Sequence, residues 1–406
     1  MIRLFDTGTR SLQPLREPAQ GRPIGIYVCG ITPYDGGHLG HAFTYHTFDV
    51  LVRRLRSLGQ PARSVRNVTD VDDDMLRTAG QRGLSWQELG EQVVRQFDRD
   101  MAAIDILEVD ATPWASQHVP AMIDWISRLV GCGSAYAAQG WVFFEVASLP
   151  SYGSLSRLSA GSMIELSRQR GANPDDPRKR APLDFVLWQP SLPGEPAWDS
   201  PWSRGRPGWH IECSVLATRE LGSPVDVHGG GEDLIYPHHE SEIAQAEGIG
   251  ISPYVGLWSH VAMVGYQGAK MSKSLGNLVF VSHLLERTSP AAVRLLLAGH
   301  HHREGWEYRE AELAAAGERA RRYAAAARSE ATLDVSEAER WRRDFLARID
   351  DDLDTPGALA RTDALAERLL AAPSSPADPE QVSGRRLLAE LLTLVGAASA
   401  VEQPVA

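Results

Sequence analysis

The sequence predicts an α/β protein in which a parallel sheet is interrupted by an insertion and followed by an all-helical segment. Three observations predict it. An apolar run, Ile24 to Val28, leads through a loop of Gly, Pro and Asp into a helix-spaced stretch and then a second stretch, 62–69, that reads as a strand. That is a strand–helix–strand unit, which calls for parallel pairing and leaves a crevice at the strand ends. The alternation resumes between Trp209 and Val264, and after residue 310 the chain turns to Ala, Arg, Glu and Leu at helical spacing, as in Leu365 with Leu369 and Leu391 with Leu394.

The elements follow in order. The first strand delivers Cys29 into the loop, which ends in His38-Leu39-Gly40-His41 at the mouth of a helix burying Phe48, Leu51, Leu55 and Leu58 on one face. Ser85 and Glu88 form a capping box before a helix carrying Leu89, Val93, Val94, Phe97 and Met101. Trp114 to Val130 reads as a helix and Trp141 to Val146 as a strand. From 147 to 207 the periodicity fades into Ser, Pro, Gly and Arg around one apolar run, Leu183 to Trp188. Residues 111–207 are therefore expected to be an insertion between the two halves of the sheet domain, 1–110 and 208–310, with a helical domain over 311–406. In the second half Trp209 to Leu221 reads as a helix, Val225 to His228 as a strand, Gly229 to Asp233 as the turn after it, and His238 to Glu247 as a helix. An apolar run from Tyr254 to Val264 precedes a loop, Gly265 to Asn277, and a Pro/Ser stretch at Ala371 to Pro379 interrupts the last helices.

With 406 residues, 43% hydrophobic and 23% charged, the chain has the composition of an ordinary globular protein of two or three domains. No charged leader opens it and no apolar run approaches the roughly 18 residues of a membrane span, so the expected location is the cytoplasm, with no membrane partner. The net charge of −11 disfavours wrapping a polyanion, although a local basic patch could still do so. Three scattered cysteines exclude a disulfide framework; Cys132 is expected to be a buried small apolar residue.

Four groups of residues carry chemistry. The helix opened by His38 and His41 offers unpaired N–H groups to an anion, with Gly40 letting a flat ring approach; a metal half-site or two surface imidazoles is the plainer reading. Lys270-Met271-Ser272-Lys273-Ser274, bounded by Gly265, Gly268 and Gly276, suits a flap that places two ammonium groups on a phosphate, or else a solvated basic loop. Gly229 to Gly231 with Asp233 suits a ribose, or a plain tight turn. Cys29, Cys213, His238 and Glu242 offer two thiolates, an imidazole and a carboxylate, a donor set for zinc; the alternative is a core Cys213 and a loop His238. His300 to His302 read as a solvated loop, and Trp209 by itself could be a core tryptophan.

Taken together, HLGH at 38–41 and KMSKS at 270–274 resemble the paired motifs of class I aminoacyl-tRNA synthetases, and YVCG at 27–30, NVTDVDD at 67–73, GRPGWHIEC at 205–213 and HGGGEDLIYPHHESE at 228–242 are similar to the cysteinyl-tRNA synthetase superfamily. The resemblance covers roughly residues 1–310 and continues at DDDLDTPGAL, 350–359. It implies a class I synthetase-type Rossmann catalytic domain with an insertion, followed by an α-helical bundle. Within the superfamily, CGITPYD at 29–35, DPRKRAPLDFVLW at 176–188 and LLAGHHHREGW at 296–306 look closer to the branch of ligases of mycothiol biosynthesis, which join cysteine to the amine of glucosaminyl-inositol. Gln169-Arg170-Gly171-Ala172-Asn173-Pro174 stands where that branch has ERGGDP, with departures at Gln169, Ala172 and Asn173. Glu242 is the fourth ligand of the synthetase type.

The resemblance implies an ATP-dependent, AMP-forming cysteine ligase that uses L-cysteine, ATP with Mg²⁺ and an amino-sugar acceptor. The alternative is a shortened cysteinyl-tRNA synthetase charging tRNA. It further implies one zinc on Cys29, Cys213, His238 and Glu242 to receive the substrate thiolate. His38, His41, Lys270 and Lys273 fall to the phosphates, and Gly231, Glu232 and Asp233 to the nucleoside. Gly30, Ile31, Thr32, Thr44, Asn67, Val68, Thr69, Trp209 and the backbone at Val264 fall to the adenylate. From its residues alone, Pro174 to Arg180 reads as a solvated loop or, more sharply, a basic contact with an acceptor molecule.

Overall fold

The computed structural model describes residues 1–16, 21–271, 275–372 and 381–402. Lys273 and the Pro/Ser stretch from 373 to 379 lie outside the described residues. The centre is a four-stranded parallel sheet built from β1 (Ile24–Ile31), β2 (Ala62–Val68), β3 (Val227–Gly231) and β4 (Trp258–Val261), in the order β4-β3-β1-β2. β1 is a near-continuous apolar run because both of its faces are covered. Alternate residues of β1 go to different cores: Ile24, Ile26 and Val28 join the cluster that continues into the C-terminal helices. Tyr27 and Cys29 join the cluster shared with the insertion. Strand order reverses between β1 and β3, and the crevice opens there, beyond the carboxyl ends of the strands.

Helix α1 (Leu39–Ser57) connects β1 to β2, is capped by His38 and carries no acidic residue in its first turn. Phe48, Leu51 and Leu55 are buried as expected, whereas Leu58 caps the C-terminus and is 45% exposed. The second half begins with α2 (Trp209–Leu221) and runs through β3 to α3 (Glu240–Glu247). Two expectations change here. Gly229 to Gly231 are strand, not turn: a Cβ on Gly229 would stand 2.0 Å from Phe48 Cζ, so the glycine admits the phenyl ring of α1 against the sheet. The turn comes next, at Glu232–Leu234, and a kinked turn at Ile235–His239 delays the regular helix from His238 to Glu240.

The insertion is more regular than its composition suggests. A four-stranded antiparallel sheet (Ala135–Ala138, Trp141–Phe144, Phe185–Pro190 and Gly205–Pro207) carries the helices Val119–Gly131 and Ala160–Gln169. Cys132 is exposed at the end of the first of these, its thiol donating to Gly248 O at 2.9 Å, which corrects the expectation of burial. The 174–180 stretch is not fully solvated: Asp176 is buried and the Arg178 guanidinium lies 3.9 Å from the Trp141 ring centroid. Nor is the histidine run, since His302 is buried and His300 stacks on Trp306 at 3.9 Å.

The helices Glu310–Arg328, Val335–Ile349, Thr355–Leu370 and Gly384–Leu394 pack into one core with α1 and the helix Pro290–Ala298. Arg294, fully buried at this junction, donates to Val395 O at 2.7 Å and pairs with Asp49 of α1. Among the described residues no helix is long and apolar enough to cross a membrane.

Candidate active site

A cavity of about 330 Å³ opens at the carboxyl ends of β1 and β3. Its lining includes Cys29, Gly30, Thr32, His38, His41, Thr44, Gly231, Asp233, Val264 and Lys270, so the structure gathers ten of the residues picked out in the sequence. The His38 and His41 rings stack at 3.8 Å, and His38 Nδ1 accepts from the His41 backbone N–H at 3.3 Å, capping α1 from its own first turn. Burial lowers the His38 pKa to about 4, so at neutral pH the ring is uncharged, and burial, with His38 and Arg66 nearby, holds His41 well below the ordinary histidine value. Lys270 Nζ lies 2.9 Å from Asp233 Oδ2 across the cavity. Neutral imidazole donors, one ammonium and a helix N-terminus make an anion-binding wall opposite a carboxylate.

Next to this cavity the strand ends and α3 bring four donor atoms together. Cys29 Sγ and Cys213 Sγ are 3.8 Å apart, His238 Nε2 and Glu242 Oε1 3.2 Å, and Cys29 Sγ and Glu242 Oε1 3.9 Å. A tetrahedral site with metal–sulfur bonds of about 2.3 Å and metal–nitrogen or –oxygen bonds of about 2.0 Å has edges of about 3.8 Å and 3.3 Å respectively. The four residues fit zinc. Burial drives the Cys29 thiol and the Glu242 carboxyl well above their ordinary values and the His238 ring well below its own. The side chains are thus held neutral, and a divalent cation would reverse the preference of the thiol and the carboxyl.

A second set shares two members. Cys29, His228, His239 and Glu242 also converge, with His239 Nε2 3.2 Å from Cys29 Sγ and His228 Nε2 2.9 Å from Glu242 Oε2. His239 Nδ1 continues to His260 Nε2 at 2.7 Å, and His260 Nδ1 to Thr7 Oγ1 at 2.7 Å. Tyr254 OH donates to Glu242 Oε2 at 3.0 Å. Sequence reasoning passed over His228, His239, His260 and Tyr254. The HH pair at 238–239 was the available signal, but the partners of His239 depend on how β4 sits beside β3.

The other expected residues stand behind the wall. Asn67 is buried, accepts from Gly30 N–H at 2.7 Å and donates to Thr69 Oγ1 at 3.0 Å; its Oδ1 is 3.6 Å from Cys213 Sγ. It clamps β1 to β2 where a Cβ on Gly30 would collide with Asn67 O. Ile31 and Val68 are core residues. Glu232 accepts from Met263 N–H at 3.2 Å and so braces the turn. Trp209 stacks on His238 at 4.2 Å and lines a neighbouring cavity.

A doubly wound sheet with an anion site at the first helix, a carboxylate across the crevice and a thiol-rich donor cluster beside it defines an ATP-dependent ligase of the class I synthetase type. Residues 15–318 match the family described as tRNA synthetases class I (C) catalytic domain, and the chain belongs to that family. It is 44% identical over 403 residues to an L-cysteine:1D-myo-inositol 2-amino-2-deoxy-alpha-D-glucopyranoside ligase of Thermobifida fusca, covering 98% of this chain and 94% of that one. The ligase of the same name from Nocardiopsis dassonvillei is 44% identical, over 91% and 89% of the two chains. Among solved structures, Mycobacterium tuberculosis methionyl-tRNA synthetase in complex with methionyl-adenylate superposes with a TM-score of 0.66 at 16% identity, over 94% and 93% of the chains. That likeness is one of fold.

Proposed function

We propose that this enzyme activates L-cysteine with ATP and Mg²⁺ to cysteinyl-AMP, releasing pyrophosphate, and transfers the cysteinyl group to the amine of glucosaminyl-inositol, forming an amide and AMP. The observation that carries the reading is the match, nearly end to end, to ligases named for that reaction. The donor cluster beside the anion-binding cavity supports it, because an adenylating cysteine ligase needs both within the length of one amino acid.

Cys29, Cys213, His238 and Glu242 would hold zinc, which when bound supplies a soft Lewis acid that takes a cysteine thiolate in preference to a serine hydroxyl. His38 and His41 donate to the triphosphate, with the backbone N–H groups of α1 behind them. Lys270 leaves Asp233 for the phosphates, freeing the carboxylate to accept from the ribose hydroxyls, and Lys273 is assigned to the phosphates on its place in the KMSKS motif. Gly231 and the backbone at Val264 border the nucleoside. Gly30, Thr32 and Thr44 border the adenylate, with Asn67, Thr69 and Trp209 positioning this wall. In-line attack by the cysteine carboxylate then needs little beyond alignment and charge neutralisation. We place the reaction in the cytoplasm. We further assign residues 1–110 and 208–310 to the catalytic domain, 111–207 to its insertion and 311–406 to a helical domain.

The test is AMP release by the purified protein given ATP, Mg²⁺ and cysteine, with glucosaminyl-inositol or tRNA added. Stimulation by the amino sugar with a cysteinyl amide as product is expected. Stimulation by tRNA alone would overturn the choice of acceptor.

A further inference from the structure

A second cavity of about 330 Å³ lies between the insertion and α2, and its lining includes Arg170, Lys179, Asp184, Phe185, Trp209 and His210. It touches both ends of the site already described. Trp209 stacks on His238 and His210 Nδ1 is 3.0 Å from His238 Nδ1, so one wall backs onto the donor cluster. Arg170 Nη1 is 3.6 Å from Asp233 Oδ2, so the lining also reaches the first cavity. In the transfer reaction proposed above, a carbonyl held between the thiol seat and the α-phosphate seat would face this border.

The charges of the cavity are unevenly spent. Asp184 accepts from Tyr136 OH at 2.7 Å and from the backbone N–H groups of Val146 and Ala181 at 3.0 Å each. Asp176 is taken by Arg178, at 2.8 and 2.5 Å, and Asp73 by Arg206. Asp175, just outside, pairs with Arg168 at 3.2 Å. Among the described residues no carboxylate is left to pair with the half-buried Lys179. The chain has three lysines against 38 arginines: two are in the 270–274 motif and the third is Lys179.

We propose that this cavity seats the polyhydroxylated amine acceptor and that Lys179 binds it, its ammonium donating to sugar hydroxyl oxygens and its charge keeping the acceptor amine unprotonated. The inference rests on the transfer reaction proposed above. Burial lowers the Lys179 pKa from the ordinary lysine value, against the pull of Asp176 and Asp184, which leaves a poorly solvated cation in want of acceptors. A second positive charge beside it is disfavoured, so an amine bound there gives up its proton to solvent. The free nitrogen then bonds to the cysteinyl carbonyl carbon, the carbon–oxygen bond to AMP breaks with its electron pair on AMP, and the remaining surplus proton passes to water. The half-buried Trp209 supplies an aromatic surface for the apolar side of a sugar.

The experiment compares full-length wild type, Lys179→Gln and Lys179→Arg with zinc, ATP, cysteine and glucosaminyl-inositol. Cysteine-dependent exchange of pyrophosphate into ATP, which uses no acceptor, is expected to keep its rate. The acceptor KM of Lys179→Gln should rise by about tenfold or more, the loss of a charge-assisted hydrogen bond. The rising limb of its kcat–pH profile should move to higher pH by about half a unit or more, and Lys179→Arg should return that limb towards wild type. Unchanged KM and pH limb in Lys179→Gln would overturn the assignment, as would an equal loss of exchange in both variants. Failure of the amino sugar to stimulate wild type would remove the transfer reading, and this proposal with it; stimulation of wild type with indifferent variants would remove this proposal alone.

Discussion

Cys213 reaches its place because α2 starts at Trp209 and turns residue 213 towards the end of β1, where Cys29 Sγ waits at 3.8 Å. Cys213→Ala should remove both bound zinc, read by elemental analysis, and cysteine-dependent pyrophosphate exchange. Full exchange by a metal-free variant would contradict the ligand assignment. The pairing was legible in the sequence only as two thiols each after an apolar run; the register that makes them neighbours is set by the sheet. His46 illustrates what was not legible. It sits inside α1 with neither ring nitrogen bonded, and burial, with Arg294 and Arg53 nearby, holds its pKa well below the ordinary histidine value. A native pKa below the unfolded one means that stability is complete above about pH 6.5 and is lost as pH falls towards the native value. His46→Leu should therefore flatten the dependence of urea stability between pH 6.5 and 5, by up to about 1.4 kcal/mol per pH unit. An unaltered slope would mean that His46 titrates normally.

At the scale of elements, the glycine run of β3 shows sequence reading giving way to packing. Three consecutive glycines carry no strand propensity, so a turn is the natural expectation. The strand exists because its neighbours on both sides supply backbone partners and the Phe48 ring fills the space a side chain would take. Gly229→Ala should destabilise the protein by about 1–3 kcal/mol through overpacking, measured by chemical unfolding; a neutral substitution would show that Phe48 can move aside. Two of the helices absent from the sequence reading, Asp73–Arg82 and Ala160–Gln169, are hidden for the opposite reason. Each buries only two residues, Met75 with Ala79 and Met163 with Ser167, so neither carries an apolar stripe long enough to reveal a period. By contrast β1, α1 and β2 were legible because strand run, cap and helical spacing agree.

Across the whole molecule, the C-terminal helices and the sheet domain share one hydrophobic core, although their compositions differ enough to suggest separate units. The Arg294–Asp49 pair is the polar centre of that junction: Asp49 also accepts from Arg53 Nε at 2.9 Å and Leu107 N–H at 3.0 Å, and Arg294 reaches Val395 O. Arg294→Met should cost about 3–5 kcal/mol, the range for breaking a buried pair. Urea unfolding followed by tryptophan fluorescence would read this, and a loss under about 1 kcal/mol would mean the junction is held by apolar packing alone. The scarcity of lysine has a practical side. Every side-chain amine of the chain is in the 270–274 motif or on the wall of the second cavity. Reagents that label or immobilise proteins through lysine would, apart from the chain terminus, address only these two places, so protection from biotinylation or surface coupling by amine chemistry would test whether ATP and the acceptor bind where they are proposed to.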